Sequence, residues 1–150
     1  MAANLDHAPA DILAQLLVDL GLGSDPAGTA GDAWPVFYGE LPDKPDSLMV
    51  VYDQAGIIEG YSQIDGEPME HLGIQVLLRS ARHRLGADKA RDISDALDRT
   101  IYRNSVTLDS SVYLVHNFSK TSGPISIGKE EGNSRLLFSI NGLLTVRQTA

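Results

Sequence analysis

The strongest constraint on the fold is the alternation of apolar and polar residues over residues 135–147. A period of two is typical of a strand with one face on a core. Residues 71–79 repeat the pattern, and the apolar parity of the two segments consists of Leu72, Ile74, Val76, Leu78, Leu136, Phe138, Ile140, Leu144 and Val146. Gly142 shares that parity and predicts a bend or bulge in the second strand. The chain must therefore build a sheet and cover one of its faces.

Two segments with helical spacing can provide that cover. Residues 9–20 begin with Pro9, which suits the first position of a helix, and residues 88–103 carry Asp88 near the start and Arg99 near the end, as the helix dipole favours. Further strands are predicted at residues 36–38, 48–52, 106–108, 112–118 and 125–127. The order helix, strands, helix, strands predicts an α+β fold, with a mostly antiparallel sheet and two helices packed on one face.

The length of the chain fits one domain. A domain of 150 residues buries roughly 68 to 70% of its unfolded surface, so it can fold without crosslinks. We expect a flexible N-terminus over residues 1–8 and a single domain over residues 9–150. The chain has no cysteine, which excludes disulfides and thiolate chemistry. No apolar run approaches the ~20 residues that span a bilayer, so no membrane partner is expected.

Charge is distributed unevenly along the chain. Residues 1–70 carry thirteen acids and one base, whereas residues 71–150 carry seven acids and eleven bases, for a net charge of −8. In one domain this asymmetry can create an acidic and a more basic surface, which suits head-to-tail association of copies. The alternative is a solvated surface with no pairing role. Tight binding of duplex DNA by a monomer is not expected, because neutralising phosphates needs a basic footprint.

A long, partly apolar loop is predicted between two of the strands, over residues 53–69. Loops of this length and character are usually functional. We therefore expect its apolar side chains to contact a partner, with folding back onto the domain as the alternative. These side chains are Ile57, Ile58, Tyr61 and Ile64.

A basic cluster follows the strand at residues 71–79 and consists of Arg79, Arg82 and Arg84, with His83 among them. Guanidinium groups pair well with carboxylates and phosphates. Because the first half of the chain is so acidic, pairing with a neighbouring subunit is the favoured interpretation. Plain solvation and contact with DNA or another phosphate remain the alternatives.

No grouping of residues in the sequence meets the requirements of a catalytic, cofactor or metal site. Ser126 lies in a segment that superficially resembles a nucleophile elbow, but Pro124 occupies the place of the first glycine, so a strand serine is expected. The histidines lack metal-binding spacing and are His7, His71, His83 and His116. Three acids fall close together without matching a calcium loop, namely Asp65, Glu67 and Glu70. We therefore predict no enzymatic activity and no cofactor.

Several segments taken in order resemble the small tail terminator, or tail completion, proteins of long-tailed bacteriophages, which are often called minor capsid proteins. The likeness covers roughly residues 9–147 and rests on the order of elements and on scattered positions. The segments that carry it are Leu48-Met-Val-Val-Tyr-Asp53, Gly66-Glu-Pro68, Gly73-Ile-Gln-Val-Leu-Leu-Arg79, Ile93-Ser-Asp-Ala-Leu97 and Leu136-Leu-Phe-Ser-Ile-Asn-Gly-Leu-Leu-Thr-Val-Arg147. The glycine-rich stretch at residues 21–33 departs from that pattern.

The resemblance implies a virion structural protein that assembles into a homo-hexameric ring in the host cytoplasm. Such a ring docks on the last ring of tail tube protein, stops tube polymerisation and offers its other surface to the head connector or head-completion protein. Genome DNA would pass through the lumen without specific binding, which an acidic lining favours. The alternatives are another neck protein and, from a different class, a small α+β binding module.

Overall fold

The computed structural model describes residues 5–26, 34–44, 46–61, 68–130, 132 and 134–149, with the backbone alone at 55–61 and 68–70. Two helices and six strands follow one another in the order α1 (Pro9–Asp19), β1 (Val36–Tyr38), β2 (Leu48–Tyr61), β3 (Pro68–Ser80), α2 (His83–Arg99), β4 (Asn104–Leu108), β5 (Ser111–Lys129) and β6 (Leu136–Gln148).

All six strands form one sheet in the order β1-β2-β3-β6-β5-β4. The short β1 runs parallel to β2, and the four other pairings are antiparallel. Helix α1 contacts β1 at one edge of the sheet and β4 at the other, so the sheet curls around it. The α+β class predicted from the sequence is confirmed.

One apolar core lies between the helices and the covered face of the sheet. The alternation in β3 and β6 places Ile74, Val76 and Ile140 in this core with no exposed surface. Ile93 and Leu97 of α2 pack into the same core, as their helical spacing predicts. Helix α1 contributes the apolar stripe Ile12, Leu13, Leu16 and Leu17.

Helix α1 begins at Pro9, and its first turn is capped from the sheet. The residue at the N-cap, Ala8, has no side chain that could accept a hydrogen bond, and the Asp53 Oδ1 of β2 accepts one from the Ala10 N–H at 2.9 Å. Upstream, the Asp6 carboxylate accepts hydrogen bonds from Ser111 and Gln148. These hydrogen bonds connect Asp6 to β5 and β6.

Helix α2 begins at His83, earlier than the predicted start at residue 88. The sequence did not predict this earlier start because Gly86 lowers the helix propensity of the first turn. An added Cβ at Gly86 would lie 2.4 Å from Cε2 of Phe138 in β6, so glycine is what lets the first turn of the helix touch the sheet. His83 and Arg84 therefore belong to the helix, and the helix ends at Arg99 instead of residue 103.

Two strands are longer than the sequence predicts. The loop predicted at residues 53–69 is wrong over most of its length, since β2 continues to Tyr61 and β3 begins at Pro68, while residues 62–67 lie outside the described part. Ser111–Lys129 is one strand in place of two, with register shifts against β6 that absorb Gly123 and Pro124. Both errors arose where glycine or proline was taken to end a strand that pairing with a neighbour continues.

Gly142 lies in β6 where that strand is crowded. It is paired in register with Ile74 of β3 and with Lys120 of β5, and one of the register shifts between β5 and β6 follows directly after Lys120. An added Cβ at Gly142 would lie 2.4 Å from the Phe118 ring and 2.6 Å from the Ser119 carbonyl oxygen. The glycine therefore serves a close approach of β5 to β6.

A buried arginine ties three segments together at one end of the sheet. The Arg79 side chain is 1% exposed, and it donates hydrogen bonds to the carbonyls of Asp43 at 2.9 Å and Asp46 at 3.4 Å, and to the Glu130 carboxylate at 3.4 Å. Arg135 donates to Glu130 at 2.9 Å and to the Asp43 carboxylate at 3.0 Å. The two guanidinium groups join the segment before β2 to the turn between β5 and β6.

Gly142→Ala is expected to lower the free energy of unfolding by about 1 to 3 kcal/mol, because the ring of Phe118 and a backbone carbonyl must both move. Urea denaturation of the purified chain measures the change. The matched control is Gly123→Ala in β5, where nothing lies within 4 Å of an added Cβ. That variant should stay within about 0.5 kcal/mol of the unmodified chain. Equal stability of both variants would contradict the close approach.

Arg79→Ala is expected to destabilise the fold by about 3 kcal/mol, because it removes one partner of a buried ion pair and two capped carbonyls. Arg82→Ala is the control, since Arg82 is an exposed arginine three residues away. Its effect should be within about 0.5 kcal/mol. Thermal and chemical unfolding measure the stability of both variants. A similar loss of stability in the two variants would contradict the stabilising role of the buried Arg79 side chain.

Candidate assembly surfaces

Three of the four predicted apolar contact residues lie on a two-stranded ribbon. β6 pairs with β3 only from His71 onward, so β2 and β3 are paired with each other alone, within the described residues, from Ile57 to Tyr61 and from Pro68 to Glu70. Of the predicted contact residues, Ile57, Ile58 and Tyr61 lie on this ribbon, and Ile64 lies outside the described residues. A two-stranded ribbon is marginally stable in water by itself, so this one is suited to gaining support from a partner.

The basic cluster is divided by the fold. Arg79 is buried in the domain, where its guanidinium group pairs with the Glu130 carboxylate of the same subunit. Arg82 and Arg84 are exposed. They lie where the chain turns from β3 into α2, and the Ser80 hydroxyl fixes this turn by accepting from the Arg82 N–H and donating to the Arg82 carbonyl.

Arg82, Arg84 and the neighbouring Leu85 form a surface that we call the basic corner. Leu85 is 45% exposed, so the corner presents an apolar side chain close to its two arginines in the sequence. The first turn of α2 contains no acid, and Arg84 lies in it against the helix dipole. A cation at that end costs roughly 0.3 to 1 kcal/mol at low salt. The position of Arg84 therefore does not stabilise the helix.

An acidic groove lies between α1 and β1, and residues of the first half of the sequence form its lining. It has a volume of about 580 Å³, and its floor and walls are formed by Ala14, Gln15, Val18, Pro26, Val36, Phe37, Tyr38 and Pro42. Three carboxylates complete the lining, from Asp11, Asp25 and Glu40. No base is among the described residues that line it. The surplus of acids in residues 1–70 is the signal that pointed to such a surface, but its position could not be found from sequence.

The electrostatic environment of the acidic groove favours a cation. Burial raises the pKa of the Asp11 carboxyl above its usual value, the His7 imidazole opposes this rise, and the Asp109 carboxylate adds to it. Tyr38 is 53% exposed beside these carboxylates. An arginine entering the groove would meet both opposite charge and an aromatic ring, which are the two surfaces on which guanidinium groups pack best.

A third exposed feature is the distal half of β5. Ile125 and Ile127 are 47% and 50% exposed there. The outer edge of this half has no strand partner among the described residues, since β4 pairs only with the first part of β5. Lys120, Pro124 and Lys129 and several register shifts fall along it. Such features protect an edge against pairing with other strands.

The residues considered for catalysis are dispersed. His7 contacts Tyr113 at 2.6 Å and Asp109 at 3.1 Å, whereas His71 contacts Thr145 at 2.8 Å on another part of the sheet. Ser126 is a strand residue, as expected, and it lines a cleft of about 190 Å³ with His83. The described lining of that cleft has no carboxylate to orient the imidazole.

In the described part of the chain, no three histidine or acidic residues converge on a possible metal ion, and Asp65 and Glu67 lie outside that part. Neither helix of this part has the length and apolar character needed to cross a membrane.

A family model described as bacteriophage tail terminator protein matches residues 16–147, from within α1 to the penultimate residue of β6. No curated protein gives a match to the chain. The matched region contains the acidic groove apart from Asp11, Ala14 and Gln15, and all of the ribbon and the basic corner.

Proposed function

The chain belongs to the bacteriophage tail terminator family, and on that premise we propose that it assembles into a hexameric ring that caps the tail tube. Membership of this family makes it a structural protein of the phage virion. In the proposed ring, one surface docks on the last ring of tail tube protein and ends polymerisation, and the other joins the head connector or a head-completion protein. The ring is assembled in the host cytoplasm, and its work requires no turnover of a substrate.

The observation that best supports a ring is the presence of separate, dissimilar surfaces on one subunit. A closed ring is built from heterologous contacts, in which one surface of a subunit meets a different surface of the next. The basic corner and the acidic groove differ in charge and share no residue. A twofold dimer would need one self-complementary patch, which neither surface provides, because each carries one predominant sign of charge.

The β2–β3 ribbon is proposed as the contact with the tail tube or with an adjacent subunit. Its backbone extends past the part of the sheet that β6 supports, and its sequence carries Ile57, Ile58, Tyr61 and Ile64. Contact with a partner would bury apolar groups and supply the support that a ribbon lacks. The Ile125 and Ile127 region of β5 is the next candidate for this contact.

The net charge of −8 suits a channel for DNA. A lumen lined with acids repels phosphates and lets the genome pass without adhering. Specific binding of DNA is not part of the proposal, because the exposed arginines of the basic corner are assigned to protein contacts.

Removal of the ribbon should leave the domain folded and should impair the assembly of tails. A variant in which residues 58–70 are replaced by a four-residue glycine-containing turn, joining Ile57 to its strand partner His71, should remain folded, because the strands within the sheet keep their pairing. In a phage that lacks its own copy of the gene, this variant should give overlong tails or tails that fail to join heads. Electron microscopy of the lysate measures both.

The control is the unmodified chain supplied in the same way, which should restore tails of uniform length joined to heads. Uniform joined tails with the shortened variant would show that the ribbon does not carry the contact. A phage without the gene that still makes uniform joined tails would instead overturn the terminator function itself.

A further inference from the structure

We propose that the acidic groove of one subunit receives the basic corner of a second copy of the chain. The inference rests on the proposed ring and identifies the two surfaces that form its repeated contact. It assigns Arg82, Arg84 and Leu85 to one side of the contact and the groove between α1 and β1 to the other.

Charge complementarity is the first argument. The groove carries carboxylates at its lining and no base within the described residues, while the basic corner presents two exposed arginines. Asp11 is partly withdrawn from solvent without leaving the groove, so its carboxylate gains from a cation that replaces lost water. Asp11 and Glu40 lie on different elements of the groove lining, which provides separate partners for two guanidinium groups.

The apolar side chains at the two surfaces also match. Large apolar side chains that remain exposed are few among the described residues, and Tyr38 in the groove and Leu85 at the corner are two of them. Leu85 follows Arg84 in the chain, and Tyr38 shares the lining of the groove with three carboxylates, so the two side chains lie beside groups of opposite charge. Docking would bury both side chains together, while the charges around them select the partner and its orientation.

The remaining exposed features are less suited to this contact. The open edge of β5 is interrupted by Pro124 and by register shifts, so it is poorly built to add a strand from a neighbour. Ile125 and Ile127 are flanked on β5 by Lys129 and by small or uncharged residues, and nothing around them selects a partner by charge. The groove and the corner complement each other in charge, and each carries an exposed apolar side chain.

The contact is heterologous, because each subunit carries one groove and one corner and uses them with two different neighbours. Repetition of a heterologous contact with a fixed rotation closes a ring. Salt should weaken it, since at about 0.1 M ionic strength the screening length is near 10 Å and the arginines lie at the surface.

Crosslinking between singly labelled subunits tests the contact directly. The natural chain has no cysteine, so each introduced thiol is the only one. Full-length Glu40→Cys and Arg84→Cys variants are mixed and treated with a short bis-maleimide, alone and with isolated tail tubes. We expect the mixed dimer to exceed by about tenfold that formed when Glu40→Cys is mixed with Tyr102→Cys, a control whose residue is 76% exposed outside both surfaces. Equal yields in the two mixtures overturn the proposal.

Charge exchange provides a second, independent measurement. Arg84→Glu and Glu40→Arg should each weaken association between subunits by about tenfold, because each places like charges together. The chain that carries both substitutions should recover most of the association, as sedimentation at several concentrations would show. Failure of the double variant to recover overturns the pairing, and circular dichroism of each variant verifies that the fold is intact.

Native mass measurement of the same samples separates this inference from the proposed ring. Hexamers of the unmodified chain without preferential crosslinking would overturn the groove contact and leave the ring standing. Absence of hexamers, with and without tail tubes, together with absence of crosslinking would overturn both.

Discussion

The fold depends on the pairing between β3 and β6 at the centre of the sheet. From His71 to Ser80 the two strands pair without a register shift, and each half of the sheet is attached to one of them. A slip of one residue would turn Ile74, Val76 and Ile140 away from the helices and expose them. The burial of these side chains thus fixes the register of the pair, and through it the position of every other strand.

This dependence explains which parts of the fold could be predicted. The alternation in β3 and β6 is strong because one face is covered along the whole pair, and the stripe of Ile93 and Leu97 in α2 is the helical counterpart of that face. The α+β class and both helices follow from these local periods. The ribbon and the distal part of β5 were missed because their strand structure comes from pairing across the hairpin, and glycine and proline in them obscure the local signal.

The three arginines that follow one another closely in the sequence also show that a local pattern does not reveal contacts with distant segments. Arg79, Arg82 and Arg84 are neighbours in sequence, but Arg79 is within β3 and the other two follow its end. What buries Arg79 is the arrival of Asp43, Asp46 and Glu130 from distant segments, which no local pattern reveals. The acidic groove is equally non-local, since α1, β1 and the segments beside them contribute its lining. The surplus of acids in residues 1–70 predicted an acidic surface, but the position of the groove depends on how these segments pack together.

The features that are least favourable for the isolated subunit lie on the surfaces assigned to assembly. Arg84 opposes the dipole of α2, burial disfavours the charged form of the Asp11 carboxyl in the groove, and the β2–β3 ribbon extends past the support of β6. Each is a small cost that a neighbouring molecule can offset, by supplying a carboxylate, a guanidinium group or an apolar surface. By contrast, the ion pairs of Arg79 and Arg135 are completed inside the subunit. In the proposed ring, these unfavourable local interactions would be relieved at the contacts between subunits, whereas the buried ion pairs would stabilise each subunit by itself.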